Sequence, residues 1–189
     1  QCFIRLPGFL NIAIVVVIKK NNMSALKISF IRHLSVADEV IPPLHFGYLA
    51  SSLPKKHNVT IFDQLRDRVS DKHLIELLVR DNADVIGFSA YTKDISDIMS
   101  LVSLIKPLIP NAKIVLGGVQ MSLMPVETFE YFDGNIDYGF VGESETAFSM
   151  FIDAIDEDPS NFDTKRIPNL VWKVDGSVKV NPIKYSLEL

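Results

Sequence analysis

The segment DVIGFSAYTKDISDIMSLVSLIKPLIPNAKIVLGG, residues 84–118, decides the fold class of this chain. It begins with an apolar run at 84–88 and ends with another at 112–116, directly before Gly117 and Gly118. Between the runs, apolar residues recur at helical spacing, which predicts a helix over about 94–108. Its predicted buried stripe comprises Ile98, Leu101, Val102, Ile105 and Leu108. A strand, a helix and a strand in this order predict two parallel strands joined by a helical crossover.

The same alternation continues on both sides of this segment, so that five apolar runs alternate with five amphipathic stretches. Helical crossovers cover both faces of a parallel sheet. The pattern therefore predicts a doubly wound, flavodoxin- or Rossmann-like α/β domain with a five-stranded parallel sheet. The predicted strands are 27–31, 58–62, 84–88, 112–116 and 136–141. The predicted helices lie at about 44–53, 70–80, 94–108, 125–132 and 145–156.

The pattern changes after about Pro159. Two short strand candidates, 169–173 and 178–180, flank Asp175 and Gly176. An Asp-Gly pair between apolar runs is a strong signal for a β-hairpin. The sequence therefore predicts an α/β domain over residues 25–160, followed within residues 161–189 by an appended C-terminal β-hairpin and a linker.

Residues 1–24 form a separate segment, which starts with Gln1 and contains the apolar run Phe9–Ile18. This run is about half of the ~20 residues that a membrane-spanning helix needs. Lys19 and Lys20 follow it, whereas a secretory signal carries its positive charge before the apolar run. Three interpretations stay open: a leader or extra strand, a translated upstream region with Met23 as the true start, or a membrane or export element. We expect a cytoplasmic protein without a membrane partner.

Composition excludes several classes of protein. Lys and Arg number 19 against 23 Asp and Glu, and this net charge of −4 argues against nucleic-acid binding, which needs a basic excess. A single cysteine, Cys2, excludes a disulfide framework. The 4 histidines lack ligand spacing, so we predict no metal ligand. The phosphate-loop pattern G-x-x-x-x-G-K-[ST] and a G-x-G-x-x-G after the first strand are both missing.

Candidate binding residues follow the predicted strands, because ligands of open α/β sheets bind beyond the carboxyl ends of the strands. Gly117 and Gly118 allow positive φ and close approach of a ligand, or they form a tight turn without one. Ser89 and Thr92 offer hydroxyl groups to a ligand, or they cap the next helix. Gly142 ends the fifth predicted strand, where a simple acidic turn before a helix is the alternative.

Five segments of the chain carry a resemblance to a known family. The segment IPPLHFGYLA (41–50) resembles the P-P-L-G-L-G-Y-L-A-like segment of the cobalamin-binding domain at the N-terminus of many radical S-adenosylmethionine enzymes. The similarity continues through ADVIGFS (83–89), AKIVLGGV (112–119) and IDYGFVGESE (136–145). The closing segment IPNLVW (167–172) resembles the family's I-P-G-L-V-Y, followed by a hairpin and N-P. The match covers about residues 27–182, and the order and spacing of its segments make it specific.

This resemblance implies a Rossmann-like domain that holds cobalamin at the strand ends, with the nucleotide tail in the crevice of the sheet. It also implies that the chain is the non-catalytic, cofactor-binding part of an enzyme, so no catalytic residue is assigned. The residues expected to contact the cofactor follow the strands: Leu44, His45, Asp63, Leu65, Ser89, Tyr91, Thr92, Gly117, Gly118, Val119, Gly142 and Glu143.

The chain departs from one motif of this resemblance. Methionine-synthase-like members supply a histidine to cobalt from a D-x-H-x-x-G motif. Aligned on Asp63, this chain has Leu65 at the histidine position and Arg68 at the glycine position. Leucine has no lone pair for a metal, so we expect cobalamin without a protein histidine ligand from this second-strand loop. His45 stands where the family often has glycine, and its side chain would either crowd the corrin or contact it.

The resemblance also implies a partner. The catalytic half of such enzymes carries C-x-x-x-C-x-x-C, whose three thiolates hold an iron–sulfur cluster. This chain has only Cys2, so S-adenosylmethionine and the cluster are expected in a separate catalytic domain, in cis or in trans, toward which residues 161–189 would lead. The expected role is to hold the corrinoid for methyl transfer or related radical chemistry. The alternatives are a cofactor-free docking domain and a small nucleotide or flavin binder on the same fold.

Overall fold

The computed structural model describes residues 25–34 and 41–185. The interpretations of residues 1–24, with the run Phe9–Ile18, Cys2 and Met23, lie outside the described residues, as do the last four residues of the predicted linker. These interpretations stay predictions from the sequence.

Seven β-strands and seven α-helices form within the described residues. The strands are β1 (Lys27–Arg32), β2 (Asn58–Asp63), β3 (Val85–Ser89), β4 (Lys113–Gly117), β5 (Tyr138–Phe140), β6 (Leu170–Val174) and β7 (Ser177–Val180). The helices are α1 (Leu44–Ser52), α2 (Gln64–Asp67), α3 (Asp71–Asp81), α4 (Ile95–Ile105), α5 (Val119–Leu123), α6 (Pro125–Tyr131) and α7 (Glu145–Glu157). Short 3₁₀ turns occupy Thr92–Asp94 and Thr164–Arg166. In these segments no helix has both the length and the apolar character needed to cross a bilayer.

All of these strands belong to one sheet with the order β2-β1-β3-β4-β5-β6-β7. β1 pairs in parallel with both β2 and β3, and the parallel pairing continues from β3 to β4 and from β4 to β5. The chain thus moves outward from β1 in one direction to β2 and in the other direction to β3. In sheets of this kind, ligands bind at the carboxyl ends of the strands where this reversal occurs. Here that point lies between β1 and β3.

The sequence predicted a hairpin appended to a five-stranded sheet. In the structure the hairpin is instead part of the sheet. β6 pairs antiparallel with β5 through Gly139–Val171 and Phe140–Leu170, and β7 pairs with β6. The sheet is therefore mixed and has seven strands within the described residues. Pairing with β6 gives the backbone groups of β5 partners that an edge strand would leave exposed.

Helix boundaries differ from the prediction in two respects. α2 and α5 are only 4 and 5 residues long, too short for a periodic pattern to reveal them. α4 ends at Ile105, before Pro107, and Leu108 is 56% exposed. The placement of Leu108 in the buried stripe is therefore wrong, because proline lacks the N–H that would continue the helix. The rest of the predicted stripe is buried.

Helices cover both faces of the sheet, and each face has its own apolar core. α1 and α7 pack on one face, where Phe46 and Phe148 contact Phe30 of β1. α3 and α4 pack on the opposite face against residues such as Ile86 and Ile114. Side chains of a strand alternate between faces, so Gly87 and Val115 turn toward the α1–α7 face. This face carries the cavity described next.

Candidate functional site

A cavity of about 240 Å³ lies between the sheet and the helices α1 and α7, and we call it the inner cavity. Gly87 of β3 and Val115 and Gly117 of β4 form its floor. Phe46 of α1 and Phe148 of α7 form its walls. The floor consists of glycine and valine, so the central strands leave space where larger side chains would fill the core.

A second cavity of about 450 Å³, the outer cavity, lies over the carboxyl ends of β1 and β3. Arg32 and His33 line it from the end of β1, and Tyr91 and Lys93 line it from the loop after β3. Pro43 lines it from the start of α1. The inner cavity is thus mainly apolar, whereas the outer cavity carries cationic side chains and an aromatic ring.

Two glycines keep the inner cavity open for different reasons. A Cβ atom at Gly87 would lie 2.8 Å from the Phe30 ring, so only glycine fits against this buried aromatic side chain. A Cβ atom at Gly117 would meet only the carbonyl oxygen of Phe88, at 3.9 Å. Glycine at 117 is therefore not required by packing within the described residues, and its effect is to leave the cavity floor free.

Gly118 joins the loops that follow β3 and β4. Its φ is +93°, and a Cβ atom would lie 2.8 Å from both the backbone nitrogen and the carbonyl oxygen of Ala90. The Ala90 N–H donates to the Gly117 carbonyl at 3.0 Å, and the Gln120 N–H donates to the Ala90 carbonyl at 3.1 Å. Residues other than glycine rarely adopt this φ, and no side chain fits. Glycine at 118 therefore allows the two loops to approach closely and form the mouth of the cavity.

Asn169 holds the loop after β5 and was missed by the sequence reasoning as a site residue. Its buried side-chain amide donates to the carbonyls of Val141 and Glu143, at 2.9 and 3.1 Å, and its oxygen accepts from the Lys184 N–H at 2.8 Å. Its φ is +61°, a conformation that asparagine tolerates better than most residues. The signal in the sequence was the I-P-N-L segment, where the resembling family has glycine.

The same loop is attached on its other side. The Gly142 N–H donates to the Ser122 hydroxyl at 2.9 Å, and Gly142 has a φ of +66°. Gly142 and Glu143 both line the inner cavity. The loop that borders the cavity is therefore fixed from α5 by Ser122 and from the hairpin by Asn169.

The structure brings together about half of the residues predicted to contact a cofactor. Six of them line the inner cavity: His45, Ser89, Gly117, Gly118, Gly142 and Glu143. Tyr91 lines the outer cavity, as His45 and Ser89 also do. Five line neither cavity: Leu44, Asp63, Leu65, Thr92 and Val119. Of these, Leu44 is 61% and Val119 45% exposed beside the mouth, and the Thr92 hydroxyl donates to the Gln120 amide oxygen at 2.6 Å.

Asp63 and Leu65 are used inside the fold at the end of β2. Asp63 is 4% exposed, forms an ion pair with Arg32 at 3.5 Å and accepts a hydrogen bond from the Arg66 backbone N–H at 3.0 Å. It therefore caps α2, as carboxylates do at helix starts. Leu65 is 3% exposed and buried. The position aligned with the family's histidine thus faces the protein interior.

His45 lies in the first turn of α1, with its ring centroid 4.2 Å from that of Phe46. His45 is an exposed residue, and the partial burial of its ring, with a smaller contribution from the charge of Arg32, lowers its pKa below the ordinary value of 6.5. The imidazole is therefore neutral at pH 7 and keeps a lone pair. Among residues 25–34 and 41–185, no group of three or more His, Cys, Asp or Glu side chains converges as a metal site.

Comparison with protein families gives a match over most of the α/β domain. The sequence model of a family described as the B12 binding domain matches residues 34–152. An uncharacterized methyltransferase of Pyrococcus horikoshii, PH0819, is 28% identical over 141 residues, which cover 75% of this chain and 30% of the relative. A cytidylyl-2-hydroxyethylphosphonate methyltransferase of Streptomyces wedmorensis is 24% identical over 160 residues, which cover 74% of this chain and 29% of that relative. The chain thus spans about 30% of the length of these relatives.

Solved structures share the fold. The cobalamin-dependent S-adenosylmethionine radical enzyme OxsB with aqua-cobalamin and S-adenosylmethionine bound superimposes with a TM-score of 0.73 at 20% sequence identity. This match covers 85% of the present chain and 22% of OxsB. The apo form of the same enzyme gives a TM-score of 0.68 at 19% identity, with the same coverage of 85% and 22%.

Proposed function

The chain belongs to the B12 binding domain family, and we propose that it binds cobalamin in the crevice formed by the inner and outer cavities. The observation that carries this proposal is the open inner cavity, whose floor of Gly87, Val115 and Gly117 leaves room beside the sheet. Cobalamin carries a flat, largely apolar nucleotide base on a flexible tail. An apolar slot with a few polar groups at its mouth fits such a base. In this proposal the base enters the inner cavity and the corrin covers the strand ends.

The proposal assigns the predicted residues to different parts of the cofactor. The six that line the inner cavity would contact the nucleotide tail, and Tyr91 would contact the corrin. The six are His45, Ser89, Gly117, Gly118, Gly142 and Glu143. Leu44, Thr92 and Val119 would lie at the edge of the corrin. Asp63 and Leu65 line neither cavity, so we give them a structural role instead.

The chain's own contribution is to bind and orient the cofactor. When bound, cobalamin supplies a cobalt centre that can carry a methyl group. The loop after β2 offers no imidazole to this cobalt, since Leu65 replaces histidine and is buried. The backbone hydrogen bonds that Ala90 makes with Gly117 and Gln120, together with those of Asn169, keep the loops at the mouth in place before the cofactor arrives.

We further propose that the chain serves as the cofactor module of a radical S-adenosylmethionine enzyme that transfers a methyl group or performs related radical chemistry. Two observations support this proposal: the relatives are named methyltransferases, and the chain spans only about 30% of their length. S-adenosylmethionine and the iron–sulfur cluster would belong to the catalytic partner domain, in cis or in trans. A cytoplasmic location also stays a prediction from the sequence.

The test of cobalamin binding uses the purified chain. We expect hydroxocobalamin to co-elute with the chain on gel filtration, with a visible spectrum shifted from that of the free cofactor. No retention of the corrinoid would favour the cofactor-free docking role. A yellow, fluorescent protein on purification would favour the flavin-binding alternative.

A further inference from the structure

Three residues line both the inner and the outer cavity: His45, Phe46 and Ser89. They form a neck between the apolar slot beside the sheet and the polar space over the strand ends. Phe46 is 2% exposed and packs against Phe30 with ring centroids 5.0 Å apart, so it is part of the core. The polar groups of the neck are therefore the His45 imidazole and the Ser89 hydroxyl.

The two polar groups belong to different elements that border the neck. His45 belongs to the first turn of α1, and Ser89 is the last residue of β3, beside the β1–β3 reversal. Within the described residues, neither the His45 ring nitrogens nor the Ser89 hydroxyl makes a hydrogen bond. A ligand that passes through the neck thus meets two unused polar groups.

Two cationic side chains stand on the outer side of the neck. Arg32 and Lys93 line the outer cavity next to His45, and Asp94 is the acidic residue there among the described residues. Arg32 already forms an ion pair with Asp63, and Lys93 forms one with Asp94 at 3.0 Å. These pairs hold the cationic side chains in place beside the neck, and each cationic charge is balanced by its carboxylate partner.

The chemistry of cobalamin provides an anion at the corresponding point. The nucleotide base and the corrin are joined by a single phosphodiester, which carries one negative charge. With the base in the inner cavity and the corrin over the outer cavity, this phosphodiester must pass through the neck. We propose that His45 and Ser89 bind the linker phosphodiester and so select complete cobalamin over corrinoids that lack the nucleotide. This inference rests on the proposed function.

The position of His45 makes this a property of the present chain. The resembling family often has glycine here, and glycine offers the linker no side-chain contact. An imidazole can donate one hydrogen bond when neutral and two when protonated. A nearby phosphodiester favours the protonated form, so binding of the linker would strengthen the donor that holds it.

The experiment compares aquacobalamin with diaquocobinamide, which lacks the nucleotide and its phosphodiester, by visible titration of the full chain. We expect His45→Ala to weaken aquacobalamin binding by about 10- to 30-fold, as for a lost hydrogen bond to a charged group, and Ser89→Ala by about 5-fold. Cobinamide binding should change by less than about twofold in both variants. His45→Gln, which keeps a donor, should restore part of the affinity.

A matched control and two further outcomes complete the test. His73→Ala removes an exposed histidine of α3 that pairs with Glu76 at 3.5 Å, away from both cavities, and should leave both affinities unchanged. Equal losses for both corrinoids, or no loss, would overturn the inference. So would nitrogen splitting in the cobalt(II) electron paramagnetic resonance spectrum that disappears in His45→Ala, since His45 would then coordinate cobalt. If the unaltered chain binds neither corrinoid, the proposed function itself fails.

Discussion

The carboxyl ends of β3 and β2 are both places where the sequence predicted cofactor-binding residues, yet their surroundings differ in the structure. At the end of β3, Ser89 faces both cavities. At the end of β2, Asp63 and Leu65 are 4% and 3% exposed and line neither cavity. β3 lies in the middle of the sheet beside the reversal of strand order, whereas β2 is its edge strand.

This difference teaches that strand order determines what the polar residues after a strand do. In the centre, the strand order reverses between β1 and β3, and a crevice lies over their carboxyl ends. At the edge, the chain turns directly into α2, so the Asp63 carboxylate caps that helix and pairs with Arg32. The carboxyl ends of β3 and β4, here called the central end, therefore border an open crevice, whereas the carboxyl end of β2, the edge end, is used within the fold.

The largest expected effect comes from closing the central end with Gly117→Val. A Cβ atom at Gly117 meets only the Phe88 carbonyl at 3.9 Å, so the fold should accept valine. The new methyl groups would occupy the inner cavity, and we expect cobalamin affinity to fall at least about 1,000-fold, or roughly 4 kcal/mol. A visible titration measures the affinity, and thermal unfolding verifies the fold.

Gly47→Ala is the matched control for this substitution. A Cβ atom at Gly47 has no neighbour within 4 Å, and alanine in a helix is favoured over glycine by roughly 1 kcal/mol. We expect unchanged cobalamin binding and a slightly higher melting temperature. Full binding by Gly117→Val would show that the inner cavity does not receive the cofactor.

The edge end should respond in the opposite way. Leu65→Ala removes a side chain that is 3% exposed, so we expect a loss of about 2–5 kcal/mol in the free energy of unfolding, measured in urea. Cobalamin affinity should stay within about twofold. The volume-conserving Leu65→Met should cost less than about 1.5 kcal/mol. A tenfold loss of affinity in a folded Leu65→Ala protein would make Leu65 part of the site.

Asn169 tests how far the central end depends on the hairpin. Asn169→Ala removes the bonds to Val141, Glu143 and Lys184, and we expect a loss of about 2 kcal/mol in stability. The freed loop after β5 should also weaken cobalamin binding by about 5-fold. Asn169→Gly accommodates the φ of +61° and removes only the hydrogen bonds. Similar losses in both variants would assign the effect to the bonds, and a loss only in Asn169→Ala would assign it to backbone strain.

The smallest effect concerns pH and the amino end of the edge strand. His57, 2% exposed, precedes β2, and its Nδ1 accepts a hydrogen bond from the Leu26 N–H at 3.3 Å. Burial, offset in part by Asp156, lowers the pKa of His57 below 6.5 in the folded protein. The unfolded chain therefore takes up the proton more readily. The stability that neutral His57 contributes is fully present above about pH 6.5 and is lost as the pH falls through the folded pKa.

Urea unfolding measures this loss between about pH 7.5 and pH 5, a range that brackets the ordinary pKa of histidine. The pKa of His45 is lowered as well, and it adds a loss of the same sign. His57→Gln should reduce the pH dependence and leave cobalamin binding at pH 7 unchanged. A pH dependence that is the same in His57→Gln would assign it to other groups.

Much of the fold follows from local patterns. The alternation of apolar runs and helical stripes predicted β1 to β5 and the longer helices to within a few residues, because burial of one face imposes a period on each element. The Asp175-Gly176 turn predicted the hairpin for the same local reason, since these residues adopt positive φ at 48° and 77°. Leu108 was misplaced because its spacing fits a helix that Pro107 ends.

The site was predicted only in part, because contact between strand ends is not a local property. Gly117, Gly118 and Gly142 were predicted from their chemistry at strand ends, and the structure brings them to one cavity, while their contact with a cofactor stays a prediction. Leu65 was assigned to the site by alignment, but its backbone continues into α2 and buries the side chain. Asn169 was missed because its partners Val141 and Glu143 lie more than twenty residues away in the sequence.

The sequence by itself determined the alternating elements, the glycines that end the strands and the absence of cysteine pairs, because each depends on neighbours along the chain. Only the tertiary structure decided that the hairpin extends the sheet, that the end of β2 is closed and that His45 and Ser89 flank one neck. The physical reason is that strand order places residues distant in sequence side by side. Burial and hydrogen bonding at those contacts then determine which strand end stays open.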